Sequence, residues 1–153
     1  MNKLLFLFLL FYIHVANVYS DIIKPNTKIE PYNVVEIQLI SLKNNDKPDK
    51  DFGIEQTWEF AHPENKMNTG PLNNFKKMLK NEIYSILLNH KDHKIEEIYN
   101  NKKIAIYDVI ILGSDNFYYE FKWQVERYDG KGSLNNCWLT TAVSNPVSLG
   151  ASI

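Results

Sequence analysis

Residues 103–128 read KIAIYDVIILGSDNFYYEFKWQVERY, and their alternation decides the fold. From Phe117 onward, Phe117, Tyr119, Phe121, Trp123 and Val125 occupy one set of positions, and Tyr118, Glu120, Lys122, Gln124 and Glu126 the other. Successive side chains of a strand point to opposite faces, so this segment is a strand with one buried and one wet face. Gly113-Ser114-Asp115-Asn116 is turn chemistry and joins it to a preceding strand, Lys103–Leu112. A loop that pairs Leu112 with Phe117, or one that pairs Gly113 with Asn116, sets Ile110, Asp108, Ile106 and Ile104 opposite Tyr119, Phe121, Trp123 and Val125. In that register Asp108 is an acid among aromatics. A three-residue loop or a bulge turns the assignment over.

Two further period-two segments, Ile95–Tyr99 and Cys137–Ser144, flank this hairpin and predict a four-stranded antiparallel meander. Upstream the period is helical. Val34, Val35, Ile37, Leu39, Ile40 and Leu42 predict a core-facing helix ending near Asn44-Asn45. A second helix is expected from Asp51 as N-cap, with Ile54, Trp58 and Ala61 on one stripe until Pro63 ends it. Gly70-Pro71 introduces a third, whose apolar face is Leu72, Phe75, Met78 and Leu79. The expected class is α+β: N-terminal helices packed on a curved antiparallel four-stranded sheet.

The chain has 153 residues, 44% of them hydrophobic, enough for one modest core and too few for a multidomain machine. Seventeen basic and 18 acidic residues nearly cancel, so there is no global electrostatic footprint for nucleic acid. The single cysteine, Cys137, excludes an intramolecular disulfide framework and a cysteine-based zinc site. Lys3 followed by the apolar run Leu4–Ile13 reads as a secretory signal, with Val18 and Ser20 at the small-residue positions before Asp21. The run is too short to span a bilayer. The expected organisation is a signal peptide at 1–20, a polar leader at 21–31, one α+β domain at 32–145 and an unstructured tail at 146–153. Export leads to secretion or a vacuolar lumen, or through the secretory pathway to a complex plastid; no stable membrane insertion is expected after cleavage.

Three pieces, in order, carry a resemblance: VVEIQLISLKNND, then GIEQTWEFAHPENKMNTGPLNNFKKML, then CWLTTAV. Together, through Trp58, Phe60, Ala61, Pro63, Asn65, Gly70, Pro71, Phe75, Met78 and Trp138, the chain from about Val34 to Val143 resembles a domain-of-unknown-function family. Its members are small bacterial, cyanobacterial and plastid-associated proteins. The resemblance implies a nuclear transport factor 2-like (cystatin-like) fold, in which helices on a sheet often enclose a cone-shaped pocket. It implies no reaction, since that superfamily holds isomerases, dehydratases, cyclases and binding subunits alike.

Asp108 is the sharpest candidate for chemistry, because a carboxylate in an apolar pocket has its pKa raised and can exchange a proton with a bound carbonyl compound. The competing reading pairs it with Lys122 or Tyr107, or turns it outward. His62, between Ala61 and Pro63, reaches a pocket mouth as an auxiliary acid or base, or serves as a helix C-terminal residue on the last carbonyls. His90-Lys91-Asp92-His93 has the look of a metal pair without a third anchored ligand. Cys137 beside Trp138 reads as a small buried hydrophobe. Tyr119, Phe121, Trp123 and Trp58 are the candidate ligand-binding aromatics, or simply core. No nucleotide-binding glycine loop, HExxH helix or GxSxG elbow occurs, and no cofactor or metal is expected. The expectation is an exported or organelle-lumen domain binding a small apolar ligand or a protein partner, possible as a homodimer, and not nucleic acid. The alternative is a cofactor-independent isomerase or lyase using the pocket carboxylate.

Overall fold

The computed structural model describes residues 21–151; the expected signal peptide lies outside them. Four helices come first: α1 Pro31–Lys43, α2 Phe52–Glu59, α3 Pro63–Thr69 and α4 Leu72–Leu79. A 3₁₀ turn, Ser85–Leu87, leads into β1 Asp92–Asn100, β2 Ile104–Leu112, β3 Phe117–Arg127, β4 Trp138–Val143 and β5 Val147–Ala151. The strands form one antiparallel sheet that does not close, ordered β1-β2-β3-β4, with β5 also paired to β3. The class is therefore α+β, with five strands where four were expected. Among the described residues no helix is long and apolar enough to cross a membrane.

Helix α1 forms because Pro31 opens it and Val34, Val35, Leu39 and Leu42 recur on one buried stripe. Gln38 sits on that same stripe, 1% exposed. Gly53 of α2 lies against the backbone of Ser41 and Asn45, where a side chain has no room, which lets α1 and α2 pack closely. Asp51 does not cap α2 as expected. It has φ +66° and no side-chain cap bond. The first amides of α2 are taken by Asn45 instead: its carbonyl accepts from Gly53 N at 2.9 Å and its side-chain oxygen from Ile54 N at 3.1 Å. This frees the Asp51 carboxylate to pin α4, with Lys80 Nζ at 2.7 Å and Lys76 Nζ at 3.8 Å. The bond from Lys80 holds Asp51 below the usual carboxylate range.

Helix α2 ends at Glu59, earlier than expected, because Ala61 leaves it to bridge Thr140, and Pro63 opens a helix of its own, since proline at the first helical position loses no hydrogen bond. The tail after Ser144 is the second difference. β4 pairs only with Trp123–Arg127, so the first half of the eleven-residue β3 would present a bare edge. β5 covers it, with Phe117↔Ala151 through Glu120↔Val147, and Gly150 at φ +105° beside the register shift.

The β2–β3 register is the third difference and the one with most consequence for function. Gly113 N donates to Phe117 O at 2.9 Å and Asn116 has φ +68°, so the loop is the three residues Ser114, Asp115 and Asn116. The parity turns over: Tyr107 faces Trp123, Val109 faces Phe121 and Ile111 faces Tyr119, while Asp108 faces Lys122 on the other side of the sheet. The core therefore takes Ala105, Tyr107, Val109 and Ile111 from β2, and Phe121, Trp123 and Val125 from β3, all at 2% exposure or less. Each large side chain among them contributes roughly 1.5–3 kcal/mol by leaving water.

Candidate functional site

A pocket of about 250 Å³ opens between α1, α2, α4, the 3₁₀ turn and the β3–β4 edge of the sheet. Its walls are apolar: Trp58 and Ala61 from α2 and its end, Phe75 and Leu79 from α4, Leu87 from the turn, and Trp123 from β3. Trp58 and Phe75 stack at 5.0 Å between ring centroids, which stiffens one wall. Among the described residues, none that line the pocket is charged.

Its floor is polar and internally hydrogen-bonded but for one amide hydrogen. The indole N–H of Trp123 can only donate, and it reaches Gln38 Oε1 at 3.1 Å and Thr140 Oγ1 at 3.3 Å. The Thr140 hydroxyl donates in turn to Gln38 Oε1 at 2.6 Å. Two donors converging on one oxygen fix the amide's orientation, and its Nε2 then donates to Thr57 O at 3.1 Å. One of the two amide hydrogens of Gln38 is used there and the second is left over. Asn65 binds the β4 backbone twice, to Thr140 O at 3.1 Å and Thr141 O at 2.8 Å, and Tyr84 Oη donates to Val143 O at 3.4 Å. The pocket is thus stitched to β4 on both sides.

Of the four aromatics read from the sequence, Trp58 and Trp123 line this pocket. Phe121 is fully buried in the core away from it. Tyr119 faces a different hollow near the hairpin loop, where its hydroxyl donates to Asp115 at 2.6 Å. The expectation that Asp108 lies in an apolar wall is corrected by the three-residue loop: its carboxylate is on the outer sheet face, 2.7 Å from Lys122 Nζ. That bond raises the Lys122 pKa. His62 is not a helix C-terminus but the N-cap of α3, its Nδ1 accepting from Glu64 N at 3.2 Å, its ring edge-on to Tyr128 and its side chain outside the pocket lining. Cys137 is buried, and burial pushes its thiol pKa up. Among the described residues no three metal-ligating side chains converge.

Gln38, Thr140 and Thr57 were not singled out by sequence reasoning, and Asn65 only as one of the residues that carry the resemblance. For Gln38 the signal was present: a lone amide at the i+4 position after Val34 on an otherwise apolar stripe is a polar group that must find partners once buried. Comparison with protein-family models, with curated proteins and with solved structures finds no match.

Proposed function

We propose that this protein is a non-catalytic binding domain of nuclear transport factor 2-like type that holds a small, uncharged, mainly apolar molecule in an exported or plastid compartment. The observation that carries the reading is the pocket between Trp58 and Trp123, whose lining holds aromatic and aliphatic surface, a neutral amide–hydroxyl floor and no titratable acid or base beyond the Tyr84 phenol. A proton-shuttle mechanism needs a carboxylate or imidazole at the reacting atom, and Asp108 and His62 both lie elsewhere. The nuclear transport factor 2-like assignment draws support from helices preceding and packing on an antiparallel sheet.

Cavities of about 150 Å³ already hold benzene, so 250 Å³ suits a molecule of roughly ten non-hydrogen atoms. At about 0.5 kcal/mol per atom the affinity is about −5 kcal/mol, a Kd of about 0.2 mM. The spare N–H of Gln38 favours a ligand with one acceptor, such as a ketone or ester. The test is titration with toluene and with cyclohexanone, followed through the indole N–H resonances of the three tryptophans. Saturable shifts at Trp123 and Trp58, with Trp138 unmoved, support the proposal. No saturable shift from either compound overturns it.

A further inference from the structure

On the far side of the pocket wall two histidine rings meet. His90, 2% exposed, directs Nδ1 to Leu87 O at 2.7 Å and Nε2 to His93 Nδ1 at 2.8 Å. Leu87 lines the pocket, and so does Leu42, whose carbonyl accepts from Asn89 N at 2.9 Å. The segment Tyr84–His90 is therefore one wall of the pocket, fastened at its end by the His90 ring. We propose that the His90–His93 pair is an acid-sensitive latch whose opening releases this wall and empties the pocket; the ligand part of this inference rests on the binding reading above.

The chemistry of the two rings fixes the order of events. A carbonyl only accepts, so His90 Nδ1 carries a hydrogen, and in the neutral ring Nε2 is then bare. His93 Nδ1 must donate to it, which leaves His93 Nε2 bare as well. The first added proton goes to His93 Nε2 and converts the ring-to-ring contact into a charge-assisted bond, which holds. The second goes to His90 Nε2 and sets two N–H donors and two cations face to face. No acceptor remains between them, and the bond is lost.

The surroundings tune the step. From α1, Lys43 opposes both imidazolium charges and Glu36 favours the one on His93. From β1, Asp92 favours both and is itself 3.5 Å from Lys43. Asp46 meets the turn through the Asn89 side chain at 3.3 Å. Burial dominates and lowers His90 from 6.5 to about 4. A depressed histidine binds fewer protons in the latched state, so the latch is complete above about pH 6.5 and weakens as the pH falls toward 4.

The test is hydrogen exchange of the protein at pH 7.5 and 4.5, corrected for the intrinsic pH dependence of exchange, with toluene titrated at both. The amides of Leu87, Leu88 and Asn89 are expected to lose at least tenfold protection at pH 4.5 while those of β2 and β3 keep theirs, and toluene binding is expected to weaken about tenfold. His90→Gln keeps a donor for Leu87 O and an acceptor for His93 without titrating, and His93→Gln can turn its amide to accept from a protonated His90. Both variants should remove the acid response. Retained protection at pH 4.5, or loss across β2 and β3 at the same time, overturns the latch. Toluene failing to bind at either pH overturns the binding reading, while selective loss of protection at 87–89 still upholds the latch itself.

Discussion

Replacing Gln38 with methionine tests whether the floor of the pocket is a working network or incidental packing. Methionine has nearly the same length and volume, so the change removes the hydrogen bonds and little else. Three bonds go. Thr57 O keeps a partner in Phe60 N at 3.2 Å, and the Trp123 indole keeps Thr140 Oγ1 at 3.3 Å. The Thr140 hydroxyl, 5% exposed at the residue level, loses the acceptor it held at 2.6 Å. One orphaned buried donor costs roughly 1–3 kcal/mol and two weakened bonds about 0.5 kcal/mol each, for a net loss of about 2–4 kcal/mol. With a urea m-value of about 1.5 kcal/mol/M, the midpoint falls by about 1.3–2.7 M. The assay is urea unfolding followed by far-UV circular dichroism, repeated with Thr140→Val and with the double variant. A coupling of about 1 kcal/mol is expected between the two positions. A Gln38→Met midpoint within about 0.3 M of the parent, or strict additivity, would refute the reasoning. The same variant should bind toluene more tightly, because the polar part of the floor is gone.

Three further outcomes follow from the geometry. Because His90 titrates near 4 when latched and near 6.5 when released, opening of the wall at Leu87–Asn89 becomes easier by about 2 kcal/mol between pH 7.5 and 5, read as hydrogen exchange there with the β2 and β3 amides as reference, and His90→Gln flattens the curve. Gly53→Ala forces a methyl against the Ser41 carbonyl, separating α1 from α2 at a cost of roughly 2–4 kcal/mol, seen as a lowered melting temperature. Asp108→Asn leaves toluene affinity unchanged within twofold, since its carboxylate stands on the opposite sheet face; a tenfold change would contradict the register.

How far the sequence could be read depended on the range of the physics involved. The faces of β3 were legible because alternation is a property of the strand's own backbone. The faces of β2 were not, because they depend on whether one loop residue adopts a left-handed conformation, and Asn116 was the only sign that it would. β5 was hidden by Pro146 and Gly150; what makes Val147–Ala151 a strand is the edge of β3 left bare by a short β4, a long-range condition. His90 and His93 were visible as a spaced pair suggesting a metal, yet folding points one ring at the other and at Leu87 O, so the pair becomes a hydrogen-bonded chain. Trp58 and Trp123 were legible only as separate aromatics of a helix stripe and a strand row, and what brings them to one pocket is tertiary packing, just as the Gln38–Thr140 floor joins residues 102 positions apart in the sequence, a contact no local pattern encodes.

The volume of the pocket bears on why it exists. A sealed void of 250 Å³ at about 24 cal/mol per Å³ would cost about 6 kcal/mol, a large part of the stability of a domain this size. Solvent access reduces that cost without removing it, and small-to-large changes that would fill the space are available at single positions. Ala61 is one: it lines the pocket at 6% exposure and is held by the Thr140 backbone on either side. Ala61→Leu adds three carbons to the empty volume. At about 0.8 kcal/mol per buried carbon, less about 1 kcal/mol for side-chain ordering and adjustment, it should stabilise the fold by about 1–1.5 kcal/mol. It should also weaken toluene binding at least tenfold. The two effects together are the signature of a space kept open against stability, as binding requires. Destabilisation with unchanged toluene affinity would show instead that the void is not where the ligand sits.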